Sequence, residues 1–389
     1  MTARKVAFIG RPGFIDRTKA KSTLDSFNQC GKNTGNLAFW HAMNEHIAGD
    51  KEFFGWTFDP EYLKSNFDVI VFPAANQLNP DWDLGGFAEL LEKAQLPILI
   101  CGLGAQAAST QEALNFKKGT KRFIDVVSER ATKIGVRGNY TAQALLDNGI
   151  ENIEVIGCPS NFISENTSLG QDCEKSLADL AEVRSVVLNI DMIPRLESKL
   201  KTMFSWSLGR SAAFINQAPV ELIEMSCLSN TKFNPHVFYR FHQLLAPSVS
   251  PKFFELIVEK QFSAHFDVKS WMRHISKFDL SIGTRLHGNI LAMQSGVPSV
   301  LMPHDSRTDE LSNTLILPRY SLNAISSNTS LEEVVSEVQF DGISYDKNRT
   351  ELASRYLQII VETGLKPSNQ LKNLTNSGKS IFERLLRAS

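Results

Sequence analysis

The chain has 389 residues, 42% hydrophobic and 21% charged, with a formal net charge of −1. That length is more than one hydrophobic core usually serves and points to two or three domains, while the near-neutral balance supplies no field that would draw the protein to nucleic acid. Five scattered cysteines without Cys-x-x-Cys spacing argue against a zinc knuckle and suit reduced cytoplasmic thiols better than a disulfide framework.

In chain order, residues 5–9 read as a buried strand, their apolar run too short for a signal peptide. A turn, Asn33-Thr-Gly-Asn36, leads into a helix over 35–47 carrying Leu37, Phe39, Trp40, Met43 and Ile47. Strand 68–74, helix 85–94, strands 97–101 and 133–136, helix 141–147 and strand 153–156 follow. Such alternation predicts a mostly parallel sheet covered on both faces. The longest apolar runs, 69–75 and 96–105, fall far short of the roughly 20 residues a membrane-spanning helix needs. The reading is a cytoplasmic protein, with peripheral contact at the inner face of a membrane left open.

The polar stretch 164–172 reads as a linker. A second block opens with strand 185–190, continues through a largely helical region over 195–275, and reaches its most informative segment at 278–302. There a short strand (278–282) meets the turn Gly283-Thr-Arg-Leu-His-Gly288, then a helix over 288–294, a Gly-Val-Pro break and a strand over 299–302. Helices over 350–361 and 380–386 close the chain. The expected domains are 1–165, 173–345 and a helical tail, 346–389, in an α/β architecture of two Rossmann-like domains facing across a cleft.

A strand–turn–helix unit sets the strand's carboxyl end and the helix's amino end at a ligand crevice, where free N–H groups and the helix dipole favour an anion. Arg285 offers a bidentate fork for phosphate or carboxylate, against the bland alternative of a surface ion pair. His287 suits an anion ligand or a general acid, against a helix-start histidine bonded to backbone. Leu286 is expected to pack beneath the turn, and Gly283 and Gly288 to allow close backbone approach. Pro303-His-Asp-Ser-Arg307 ends at the same sheet edge, with Arg307 a second cation. On the facing domain, Asn33, Gly35 and Asn36 offer donors for sugar hydroxyls or phosphate, against a plain helix cap by Asn33 or Thr34. Arg137 ends a strand before a helix capped by Asn139 or Thr141, and either enters the cleft or pairs with an acid such as Asp125. The stretch 233–242, with His236, Tyr239, Arg240 and His242, is either an aromatic platform for a sugar or packed core. Residues 199–210, with Met203, Phe204, Trp206 and Leu208 among basic residues, are either a membrane-surface element or a buried helix.

Gly283-Thr-Arg-Leu-His-Gly288, the Gly-Val-Pro break and Pro303-His-Asp-Ser-Arg307 resemble the signature of the polysaccharide pyruvyl transferase family. So do Asn33-Thr-Gly-Asn36 and Val136-Arg-Gly-Asn-Tyr-Thr141, the latter followed by Leu145, Gly149 and Val155-Ile-Gly-Cys-Pro-Ser160. These matches cover roughly residues 30 to 310 in the expected order. Asn36 stands where the family usually has Asp. The resemblance implies a GT-B-like fold and transfer of the enolpyruvyl group of phosphoenolpyruvate to two sugar hydroxyls, forming a cyclic ketal and releasing phosphate. It implies donor binding by Arg285, Leu286, His287, Gly288, Arg307 and Arg137, with His287 catalytic and no residue assigned as base. Acceptor contacts fall to Asn33, Gly35, Asn36, His236 and Tyr239. No cofactor or metal is expected, and the acceptor is an oligosaccharide, lipid-linked or nucleotide-linked. Two other readings stand beside it. One is a glycosyltransferase using a nucleotide sugar, for which the Glu174 and Glu182 spacing is read as chance. The other is a non-catalytic carbohydrate- or phosphate-binding relative.

Overall fold

A computed structural model describes residues 4–107, 114–227 and 233–375. Its short apolar strands form two parallel sheets. The first contains β1 (Val6–Ile9), β2 (Lys51–Phe54), β3 (Val69–Pro73), β4 (Ile98–Leu103), β5 (Ile134–Val136) and β6 (Ile153–Val155), in the order β2-β1-β3-β4-β5-β6. The second contains β7 (Ser185–Leu188), β8 (Ser211–Ile215), β9 (Phe262–Ser263), β10 (Leu280–Gly283) and β11 (Ser299–Leu301), in the order β11-β10-β7-β8-β9. Interior strands such as β1 and β3 are buried at every residue, which is why they read as unbroken apolar runs rather than alternating ones. The first sheet starts one strand in from its edge, adds β2 and then grows from β3 to the other side; the second starts at its middle strand, grows through β8 and β9 and returns to β10 and β11. The resulting switch points lie between β1 and β3 and between β7 and β10, and crevices open at the strands' carboxyl ends there. The chain is thus two Rossmann-like domains facing across a cleft.

Several expectations needed correction. Strand β2 was not foreseen because Lys-Glu-Phe-Phe is a half-exposed edge strand without a clean apolar run. Strand β8, inside the region read as helical, is built on Ser-Ala-Ala-Phe-Ile and carries its signal in burial rather than in β-branching. The helix Asn139–Leu146 is capped by Gly138 without a side-chain bond, and not by Asn139 or Thr141. The Thr141 hydroxyl accepts from Ala105 N and donates to Glu310. Likewise Gly35 caps the helix Asn36–His46, while Asn33 Oδ1 accepts from Gly35 N at 3.0 Å. Helix Leu169–Asp179 takes half of the expected linker. Met203, Phe204 and Trp206 are buried and face the core, while Leu208 keeps 37% of its surface exposed. No helix among the described residues is long and apolar enough to cross a membrane.

The last long helix runs Gly342–Glu362, starting well before residue 350 because the Asp341 side chain caps it by accepting from Ser344 N. The expected boundary at 345/346 therefore falls inside a helix. Beyond it the chain returns to the first domain: Ala48 N donates to Lys366 O and Ser368 N to His46 O. The helix expected over 380–386 lies outside the described residues.

Arg349 on this helix is 1% exposed and binds the crossing between the domains. It donates to Asn161 O and Asn166 O at 2.7 Å each, and to Ser164 O. Removing the fork leaves the buried Asn161 carbonyl and two partly buried ones without their donor, at about 1–3 kcal/mol for a fully buried group. Arg349→Met should therefore lower unfolding stability by at least about 3 kcal/mol in urea titrations; a loss under about 1 kcal/mol would show that the clasp carries little.

Candidate functional site

The second domain's switch point is shaped by close approach between β7 and β10. Gly283 has φ +147, and a Cβ there would stand 2.1 Å from the Asn189 carbonyl oxygen. A Cβ on Gly288 would stand 2.0 Å from Asn189 Oδ1. These absences let Arg285 N donate to Asn189 O at 2.9 Å, which fixes the start of helix Leu286–Gln294. Asn289 secures the turn from inside, donating to Gly283 O and Arg285 O at 3.1 Å each. Asp191, just past β7, is placed by its N–H bond to Thr284 Oγ1 at 2.7 Å.

Five charged or titratable side chains meet there. Arg285 pairs with Asp191 at 2.7 Å, and His304 Nε2 lies 3.5 Å from Asp191 and 3.7 Å from Asp305. Arg307, in the first turn of helix Ser306–Leu315, pairs with Asp305. From the first domain, buried Arg137 donates through Nε to Gly102 O at 2.9 Å. Arg137, Asn33, Asn36 and Asn76 on one wall and Asp191, Arg285, His287, His304 and Arg307 on the other enclose a cavity of about 70 Å³. The first N–H groups of helix Leu286–Gln294 have no intrahelical acceptor and add to its positive character. A second cavity of about 720 Å³ lies in the first domain and shares Asn33, Asn36, Asn76 and Arg307 with the small one.

The sequence model of the polysaccharide pyruvyl transferase family matches residues 33–306, a span that contains both walls of this cavity except Arg307 and Thr308 at its end. The chain belongs to the polysaccharide pyruvyl transferase family. No curated protein matches it. Among solved structures it is similar to the UDP-GlcNAc 2-epimerase of Rickettsia bellii, at 10% identity over 93% of this chain and 97% of that one, TM-score 0.47. The Methanocaldococcus jannaschii UDP-GlcNAc 2-epimerase gives 11% identity over 99% of each chain, TM-score 0.43. That of Neisseria meningitidis, solved with UDP-GlcNAc, gives 11% over 98% and 99%, TM-score 0.40.

Of the residues singled out in the sequence of this pyruvyl transferase relative, Arg285, Leu286, His287, Arg307, Arg137, Asn33 and Asn36 line the small cavity. Gly35 and Gly288 stand behind it, pressed against Gln217, where a Cβ would come within 2.5 and 2.8 Å respectively. Arg137 turns inward and Asp125 is not its partner. The departure at Asn36 has a structural reason: its Nδ2 donates to Cys30 O at 2.9 Å, a contact a carboxylate would turn into repulsion. His236 and Tyr239 line neither cavity. On helix Pro235–Leu245 it is Phe238 and His242 that pack inward against Phe233 and Phe254, leaving Tyr239 59% exposed. Sequence reading passed over Asp191, although it follows an apolar strand at the same sheet edge as Arg285, which was the available signal, and took Cys158 only as part of a motif.

Burial alone would raise the Asp191 carboxyl; His304, Arg285 and Arg307 more than offset that and hold it below the usual carboxylate range. Asp305 is likewise pushed up by burial but held at about 2, chiefly by Arg307. His287 moves the other way: burial first, then Arg137, Arg307 and Arg285, push it down to about 3. Its Nε2 lies 3.7 Å from the Cys158 thiol. The ring is therefore neutral, flanked by fixed cations.

This has a sign for stability. His287 and His46, each held near 3, stay neutral in the folded chain but take up protons near 6.5 when unfolded. Their contribution is complete above about pH 6.5 and is lost as pH falls toward 3. His287→Gln should remove its share, on the order of 1–2 kcal/mol at pH 5, and flatten the pH dependence of thermal melts between about pH 6.5 and 4. Identical pH slopes for the two proteins would contradict the assignment.

Proposed function

We propose that this protein transfers the enolpyruvyl group of phosphoenolpyruvate to two hydroxyls of a sugar, in a polysaccharide or its precursor, forming a cyclic ketal and releasing phosphate. The observation that carries this reading is the convergence of Arg137, Arg285 and Arg307 on one small cavity at a helix start, beside a neutral imidazole and a carboxylate. The donor bears a phosphate and a carboxylate, and planar guanidinium forks match both groups. Family membership supports the same chemistry.

The reaction needs a proton delivered to the donor's methylene carbon, so that C2 becomes electrophilic, and a proton removed from each attacking hydroxyl. The first hydroxyl adds to C2 as C3 becomes a methyl group; the second displaces phosphate from C2. Of the two hydroxyl protons, one is balanced by the proton at C3 and the other leaves with phosphate. His287 is the proposed acid. A trianion among the three guanidiniums would offset the charges that depress its ring and let it take up the proton it must deliver. Asp191 is the one carboxylate among the described residues lining the cavity and is the proposed base. When the donor engages Arg285, Asp191 loses part of its counter-charge and becomes more basic. The reading requires no cofactor or metal and places the reaction in the cytoplasm, where phosphoenolpyruvate and sugar acceptors meet.

Calorimetric titration with phosphoenolpyruvate should show saturable binding. Arg285→Ala should weaken it by about 1.5–3 kcal/mol, the worth of a hydrogen bond to a charged group. His287→Gln should retain donor binding while phosphate release on an accepted sugar falls by about 10²–10⁴-fold. Tight binding of a UDP-sugar without any response to phosphoenolpyruvate would replace this reading with glycosyl transfer.

A further inference from the structure

The chain has five tryptophans. Trp206 and Trp271 are buried in the second domain, whereas Trp40, Trp56 and Trp82 all line the 720 Å³ cavity of the first. Trp56 and Trp82 keep 40% and 42% of their surface exposed. Trp56 is supported, not covered: its ring rests 4.7 Å from Phe87 and edge-on to Phe72 at 5.6 Å. Leaving two large rings open to one cavity forgoes burial that the neighbouring core would otherwise gain.

The polar lining is equally selective. It consists mainly of side-chain amides, among them Asn28, Gln29, Asn76 and Gln77, which both donate and accept hydrogen bonds. Among the described residues its only charged side chains are Arg11 and Arg307, and no carboxylate or lysine lines it. Aromatic faces with neutral two-way hydrogen-bonding groups match the apolar ring faces and hydroxyl edges of sugars. At this size, within the roughly 300–1,000 Å³ of enclosing ligand sites, the cavity holds more than a single ring. It opens at the first sheet's switch point, with Gly10 and Arg11 after β1 and Ala75, Asn76 and Gln77 after β3 in its wall. Through Asn33, Asn36, Asn76 and Arg307 it meets the anion cavity.

We infer that this cavity is an oligosaccharide subsite that uses Trp56 and Trp82 as its stacking platform and delivers a hydroxyl pair past Asn76 and Arg307 to the anion cavity. The inference rests on the pyruvyl-transfer reading for the sugar's role as acceptor, but not for its binding.

The indoles themselves give the readout. Intrinsic fluorescence of the full chain is titrated with gluco-, galacto- and manno-configured di- and trisaccharides, with UDP, and separately with phosphoenolpyruvate. At least one sugar should shift tryptophan emission in a saturable way, with a trisaccharide binding more tightly than its disaccharide. Trp56→Ala and Trp82→Ala should each weaken that binding by up to about tenfold, the range of one aromatic contact. Donor binding by calorimetry should stay unchanged in both variants, which also shows that they fold. Sugar binding without any phosphoenolpyruvate binding would keep the subsite and remove the pyruvyl-transfer reading. A response to UDP but to no sugar, silence from every sugar, or sugar binding indifferent to both substitutions would overturn the inference.

Discussion

Three guanidinium groups held around one small cavity repel one another, and the repulsion grows as water is excluded. Asp191 and Asp305 answer it, each paired to an arginine before any ligand arrives. Single buried pairs are poor sources of stability, because desolvating both partners cancels much of their attraction. Their value here is positional. The pairs aim the forks and keep the cations tolerable in the folded chain, while leaving positive potential for an anion to neutralise. His287 reports that potential most directly, because burial and the same three arginines strip its proton.

The two domains repeat one arrangement with different content. Both sheets reverse growth at an interior strand, and each opens a crevice at the carboxyl ends beside that reversal. In the second domain the crevice is small and charged; in the first it is large, aromatic and almost uncharged. Facing the two together puts a crevice of charge beside one of shape, and they share a boundary of three asparagines, Ala75 and Arg307.

The charged half was legible in sequence because its residues are contiguous. Gly283, Arg285, His287 and Gly288 fall within one turn, bounded by an apolar strand and a helix, so local spacing states the geometry. Asp191 was not legible as part of that turn, since 93 residues separate it from Thr284, which holds it in place. The aromatic half misled. Phe233 to His242 is dense in aromatics, yet helical periodicity turns Phe238 and His242 inward and Tyr239 to solvent. Trp56 and Trp82 lie outside any regular element, so no periodicity marks them, and only the folded chain brings them together. The edge strand β2 escaped for a related reason, since a strand with one half-wet face has little apolar signal to offer.

The clasp at Arg349 bears on how firmly such a site is held. Residues 161–166 leave the first domain, helix Gly342–Glu362 returns toward it, and one guanidinium ties both together. The clasp is not alone: Thr141 donates to Glu310, Ser306 to Ala107 O, Thr34 N to Gln217 O and Ile15 N to Phe266 O, so the domains are tied on several sides of the cleft. Arg137 belongs to one domain, Arg285 and Arg307 to the other. An anion lodged among them would add a charged tie across a seam the fold already holds, so its capture asks for little rearrangement of the domains.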